Sequence, residues 1–326
     1  YFDFGRNEVI SFLVSSVDYW INRYHFDGIR VDAVSAMLYL DYGRREWMPN
    51  VHGGRENLEA IALLRTLNGH ILNNYPGTMM IAEESTSFPK VSHDIADGGL
   101  GFSFKWNMGW MNDTLSYMQT DPYFRAGSHS KLTFSMMYAF SERFILPVSH
   151  DEVVHGKKSL LDKMPGDYFQ KFANTRLFMA YMAAHPGKKL MFMGCEYGPF
   201  REWDYASGLE WFMLDFDAHK KLHDYKAALD EFYLSRPALW KDDCGWGGFQ
   251  WIAADDSQNN VISFIRKDGK KQLVCVFNFS GIAHVGYRIG VPKAEQYREV
   301  LTTDDVRFFG AGRYNGLVKP DPIPMH

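Results

Sequence analysis

Phe26-Asp27-Gly28-Ile29-Arg30-Val31-Asp32 carries a cation and an acid onto the last residues of a short apolar run. Alternation along Ile29, Arg30, Val31 and Asp32 predicts a strand, and the Ala/Met/Leu-rich Ala33 to Leu40 predicts a loop or the start of a helix. Asp32 then stands at the strand's C-terminal edge, where acids line the mouth of α/β barrels; residues that close the bottom stand at the strand's start. The competing reading is a cap on the following helix. This stretch alone supports both equally.

Working outward, the pattern repeats. Val9, Phe12, Leu13, Val17, Trp20 and Ile21 recur at helical spacing before the first strand, so residues 8–24 predict a helix. Residues 57–72 predict another, and Met79-Met80-Ile81-Ala82 predicts a buried strand ending in Glu83-Glu84. Residues 101–106 form a weaker strand, and Phe144 to Val148 a strong one running into Ser149-His150-Asp151-Glu152. A helix over 168–184 leads to a strand over 189–193, and a closing helix covers 217–234.

Five strands alternating with helices mean βα units and a parallel sheet. A doubly wound sheet would need a G-x-G-x-x-G turn after its first strand, and none exists. Eight units need about 250 residues, and five occupy roughly that length here. We therefore expect a partial (β/α)8 barrel entered in mid-barrel, with three units upstream and an apolar exposed flank, so that the chain made alone aggregates.

Beyond Pro237 the texture changes. Residues 248–252, 261–265 and 273–277 read as short strands separated by Asp255-Asp256, Lys267-Asp268-Gly269 and Ser280-Gly281 turns. The expected domains are a catalytic barrel portion over 1–234 and an incomplete all-β antiparallel sandwich over 235–326.

Bulk properties agree with a globular protein. Of 326 residues, 46% are hydrophobic and 23% charged, which excludes disorder and fibrous repeats. Net charge is −4 with a pI near 6.3, leaving no electrostatic footprint for nucleic acid or an anionic membrane. Aromatic content of 16% suits sugar faces as well as a core, with the core taking the larger share. Cys195, Cys244 and Cys275 are odd in number and lack a CxxC pair, which argues against a disulfide framework or a zinc site and for a reducing, cytoplasmic location. No run approaches a membrane span, and Tyr1-Phe2-Asp3-Phe4 has no signal-peptide character and no Met, so we expect the natural start upstream. No metal or cofactor is expected.

Asp32, Glu83 and Asp151 end three different strands, and in a parallel barrel such ends converge on one face. Retaining glycosidases need two carboxyl groups about 5–5.5 Å apart, one a nucleophile and one an acid. A third acid could hold sugar hydroxyls. Arg30, on the same strand face as Asp32, supplies charge and hydrogen bonding to it. Glu83, crowded by two carboxylates, is the one pushed towards its protonated form. Against this, Asp151 could be a helix cap, Glu83 and Glu84 a solvated loop pair, and His150 a core histidine. Only their joint placement favours chemistry. Gly156-Lys157-Lys158-Ser159 lacks the first Gly and the Ser/Thr of a phosphate loop, so it is rejected as one. Asn112-Asp113-Thr114 and Asn278-Phe279-Ser280 are read as chance matches to the glycosylation pattern.

Phe26 to Val34, Ile81-Ala82-Glu83-Glu84-Ser85 and Pro147 to Ser159 resemble three signature regions of the α-amylase superfamily, glycoside hydrolase family 13, and most narrowly its bacterial glucan-branching members. Gly53 to Ala60, Lys105 to Trp110, Met164-Pro165-Gly166-Asp167 and Arg201-Glu202-Trp203-Asp204 extend the resemblance over nearly the whole chain. It implies that Asp32 is the nucleophile, Glu83 the acid/base and Asp151 the transition-state stabiliser, with Arg30 and His150 in the sugar site. Trp106, Trp110 and Trp203 are candidate sugar-holding rings. The family's first signature region, which supplies an Asp and a His, is expected upstream. The implied activity cuts an α-1,4 bond of glycogen or amylose and rejoins the piece at a 6-hydroxyl, with the complete enzyme a monomer. The alternatives are a hydrolase on the same barrel and a non-catalytic glucan-binding fragment.

Overall fold

The apolar runs become five strands of one sheet, in the hydrogen-bonded order β1-β2-β3-β4-β5. The computed structural model describes residues 2–325. The strands are β1 (Gly28–Val31), β2 (Met79–Ala82), β3 (Phe104–Trp106), β4 (Phe144–Val148) and β5 (Lys188–Met191), all parallel, forming a half-barrel. The helices among them are α1 (Asn7–Tyr24), α2 (Val34–Leu38), α3 (Leu58–Asn74), α4 (Met108–Gln119), α5 (Ser130–Thr133), α6 (Tyr168–Ala184) and α7 (Asp217–Ser235). An antiparallel part follows: β6 (Phe249–Asp256), β7 (Val261–Asp268) and β8 (Lys271–Asn278) form one sheet, and β9 (Tyr297–Arg298) pairs with β10 (Leu317–Val318).

The chain divides into two compact units. The first runs to Met108 and includes Phe140–Ile145; the second comprises Gly109–Ala139 and Leu146 onward. The boundary expected at residue 234 falls within the second.

In the first unit, caps and close contacts account for the element ends. The Asn57 side chain accepts the Ala60 N–H to start α3. His25, in the left-handed region, ends α1 by donating its N–H to the Ile21 carbonyl. Gly28 opens β1 because a Cβ there would lie 2.8 Å from the Met79 carbonyl oxygen. Val34, Leu38, Leu64, Ile71, Met80, Ala82, Leu100 and Phe102 are fully buried in one cluster. Each large side chain contributes about 1.5–3 kcal/mol of burial. On the outer face of α1, Phe12, Tyr19, Trp20 and Tyr24 are exposed, and Trp20 stacks on Phe26 at 5.5 Å. Strand β3 is shorter than the six residues expected, because Gly101 adopts a φ of +80° and turns the chain before Phe104.

In the second unit two buried arginines tie elements together. Arg125 donates to the carbonyls of Met118 and Phe279 and to Asn174 Oδ1 at 2.8–2.9 Å. Arg266 of β7 donates to the Ala184 carbonyl at 2.7 Å and to Asp243 Oδ1 at 2.6 Å, and Lys188 of β5 reaches the other Asp243 oxygen at 3.1 Å. Trp110 is buried against Phe178, Tyr181 and His185. It is a core residue, so the expectation that it holds sugar is corrected.

Burial acts to raise the Asp243 pKa, but the charges of Lys189, Arg266 and Lys188 outweigh it and hold the carboxyl below 3.8. A depressed folded-state pKa means that this stabilisation is complete above the ordinary carboxylate value and is lost as pH falls through the folded one. Asp243→Ala leaves Arg266 buried and unpaired, and should cost about 3–5 kcal/mol in urea melts of the intact protein. The loss should shrink at strongly acidic pH.

Candidate active site

Strands β1 and β2 run in register, with Arg30 opposite Ile81 and Val31 opposite Ala82. The next rung holds Asp32 and Glu83, each one residue past its strand. The ladder continues there, since the Glu83 N–H donates to the Val31 carbonyl at 3.0 Å. Ala33 then takes a left-handed conformation, φ 47° and ψ 42°, which a residue with a Cβ adopts only at a cost. This turn aims the Ala33 N–H at Glu83 Oε2, 3.1 Å away, and lets the Val34 N–H reach the Glu83 carbonyl at 2.9 Å. Helix α2 begins at Val34 with Ala33 as its N-cap residue and no side-chain cap, which disposes of the capping role for Asp32.

One nitrogen joins the two acids. Arg30 Nη1 donates to Asp32 Oδ1 at 2.8 Å and to Glu83 Oε2 at 2.7 Å. Those oxygens therefore lie no farther apart than the sum of the two distances, 5.5 Å. That bound falls short of the about 6.5–9.5 Å that leaves room for a water between the two groups, and so favours a covalent displacement. The Arg30 guanidinium lies 4.5 Å over the Trp106 ring, which fixes its plane. Trp106 is itself buried, so its ring supports Arg30 and offers no open sugar face.

The two acids differ in environment. The Asp32 side chain is 75% exposed and that of Glu83 20%. The Glu83 pKa is raised, first by burial and then by its hydrogen bond with Asp32, against the lowering by the Ala33 N–H and by Arg30. A carboxyl whose pKa is raised, beside a second one left open to solvent, is a pairing able to supply an acid and a nucleophile.

Glu84 does not lie in a solvated loop. As neighbours on extended backbone, Glu83 and Glu84 point to opposite sides. Glu84 is 1% exposed: its Oε1 accepts from Ser35 Oγ at 2.9 Å, the Thr86 N–H at 2.7 Å and Thr86 Oγ1 at 2.5 Å. Its Oε2 lies 2.5 Å from Lys105 Nζ. The sequence reading missed Lys105, Ser35 and Thr86. The available signal was a lysine between Phe104 and Trp106 in a buried strand, which demands a buried anion.

His150, Asp151 and Trp203 come together in the second unit. His150 Nε2 is 3.4 Å from Asp151 Oδ1. The His150 ring lies 6.3 Å from that of Trp203, which packs edge-on against Phe192 at 5.0 Å. Asp151 is not the helix cap. Ser149 Oγ takes that role, and Glu152 Oε2 closes the capping box by accepting the Ser149 N–H at 2.6 Å. The Asp151 side chain is left 47% exposed. Nearby, Glu202 accepts the N–H groups of Gly156 and Lys158 at 2.9 and 2.5 Å, so the chain's own carboxylate fills the loop rejected above as a phosphate cradle. These hydrogen bonds also lower the Glu202 pKa.

Solved structures match this architecture: a pullulanase from Bacillus acidopullulyticus (TM-score 0.66, 15% identity, 98% of this chain and 39% of that one) and a Nostoc punctiforme debranching enzyme (TM-score 0.59, 16% identity, 85% and 53%). Residues 251–320 match the family described as "Alpha amylase, C-terminal all-beta domain". The fold is thus of the α-amylase type. At the level of sequence, the chain is 53% identical to the 1,4-alpha-glucan branching enzyme GlgB of Halothermothrix orenii and 52% identical to that of Aquifex aeolicus, over 100% of this chain and 52% of each relative. A Clostridium perfringens GlgB 1 is 54% identical over 96% of the chain and 47% of its own length. The chain belongs to the 1,4-α-glucan branching-enzyme family. It spans about half the length of these curated relatives.

The opposing influences on Glu83 can be separated without measuring turnover. In carbon-detected titrations of the intact protein, Arg30→Met should raise the Glu83 pKa further. Asp32→Asn should lower it only in part, because burial persists. Equal values in all three proteins would contradict this geometry.

Proposed function

We propose that the intact protein is a 1,4-α-glucan branching enzyme that acts on glycogen or amylose by a retaining double displacement. Residues 1–234 are its share of the catalytic barrel and 235–326 its C-terminal β domain. The observation that carries the chemistry is the single Arg30 nitrogen bridging Asp32 and Glu83, whose oxygens lie within 5.5 Å. Asp32 attacks the anomeric carbon while Glu83 protonates the departing glycosidic oxygen; Glu83 then removes the proton from the acceptor hydroxyl that resolves the glycosyl-enzyme. Asp151 stabilises the charge of the transition state, and Arg30 and His150 border the reacting sugar. Trp203, half-buried beside His150, is the candidate ring for a sugar face, whereas Trp106 acts through Arg30.

Branching requires that a sugar hydroxyl and not water resolve the intermediate. An acceptor chain held beside it gains an effective molarity that reaches 10⁵ M or more, against about 55 M water. No helix among the described residues is long and apolar enough to cross a membrane. We place the protein in the cytoplasm as a monomer needing no cofactor.

Incubation of the intact protein with amylose should raise α-1,6 content with little gain in reducing ends. Reducing ends rising in step with cleavage, without α-1,6 linkages, would make it a hydrolase. Asp32→Asn and Glu83→Gln should each lower the rate by about 10³-fold or more, since the two act as a unit.

A further inference from the structure

A charge pair sits directly behind the reacting acids, and no step above uses it. Glu84 and Lys105 are the sequence neighbours of Glu83 and Trp106, and their side chains point away from the site side. The pair is almost wholly shielded from water, with side-chain exposures of 0% and 7%. Burying two charges contributes little to stability, and well-packed apolar residues often do as well or better. Its connections suggest geometry instead. Through Oε1, Glu84 holds Ser35, three residues after Asp32, and Thr86, three after Glu83. Ser35 Oγ accepts the Ser85 N–H at 3.0 Å, and Lys105 Nζ donates to the Thr86 carbonyl at 3.0 Å. Three strand ends, carrying Asp32, Glu83 and Trp106 with its overlying Arg30, are thereby fastened to one buried carboxylate.

We propose that the Glu84–Lys105 pair, with Ser35 and Thr86, is a positioning device that sets the spacing of Asp32 and Glu83. This rests on the branching reading above. In Glu84→Gln the amide presents a donor to Lys105 and lets the post-strand turns drift; a displacement near 1 Å costs about 10²-fold in rate. In the intact protein, Glu84→Gln and Lys105→Met should each lower kcat on amylose by about 10- to 100-fold while KM changes by less than about threefold. The double variant, with both charges gone, should be less impaired than the product of the single losses. The alkaline limb of the kcat profile should shift by about half a pH unit or more, because burial and Arg30 act on Glu83 in opposite directions and drift upsets their balance. Ser35→Ala, which deletes one hydroxyl, carries the test if the charge variants do not fold; it should lower kcat by about three- to tenfold with the same limb shift.

Single variants with kcat within about twofold of wild type would overturn the inference, as would losses that multiply or come with an unmoved limb. A wild-type protein that forms no α-1,6 linkages would remove the branching reading itself, and is seen before any variant is compared.

Discussion

Two acids whose oxygens lie within 5.5 Å of each other must share a cation or a proton, and the Arg30 guanidinium answers that constraint. Much of the first unit can be derived from it. Arg30 must share a strand face with Asp32, so the two are separated by one residue. Its plane must be held, so a tryptophan lies beneath it. Glu83 must be partly withdrawn from water while Asp32 is not, so the chain after β1 turns sharply enough to lay a backbone N–H against Glu83. The sheet register, one rung beyond Val31 and Ala82, brings these groups to one level.

The electrostatic design has two layers with opposite demands. On the side of Asp32 and Glu83 the charges remain partly accessible, so their protonation can change during a reaction. On the other side Glu84 and Lys105 are sealed from water and paired with each other. Adjacent residues on an extended chain serve both layers, which explains how two consecutive glutamates have unlike fates.

Much of this was legible in the sequence. Strand ends bearing acids pointed to a parallel half-barrel, and the Ile29 to Asp32 alternation put Arg30 and Asp32 on one face. Local signals failed where tertiary context decides. Residues 101–103 carry apolar character, yet Gly101 turns them out of β3. Trp110 and Trp106 look alike in sequence, but one lies in the core against Tyr181 and the other supports a guanidinium. The burial of Glu84 was hidden because, Thr86 apart, its partners lie 21 and 49 residues away at Lys105 and Ser35, beyond any local pattern.

The left-handed Ala33 has a consequence for how the site tolerates change. Glycine would relax the torsional strain there, and by the usual reasoning about turns it should be the better residue. It would also give the segment after Asp32 more conformations to visit in the unfolded and folded states alike. A methyl group at this corner therefore acts as a ratchet. Once the surrounding contacts have forced the turn, it narrows the range of headings that Asp32 explores, trading a little ease of folding for a better-aimed carboxyl group.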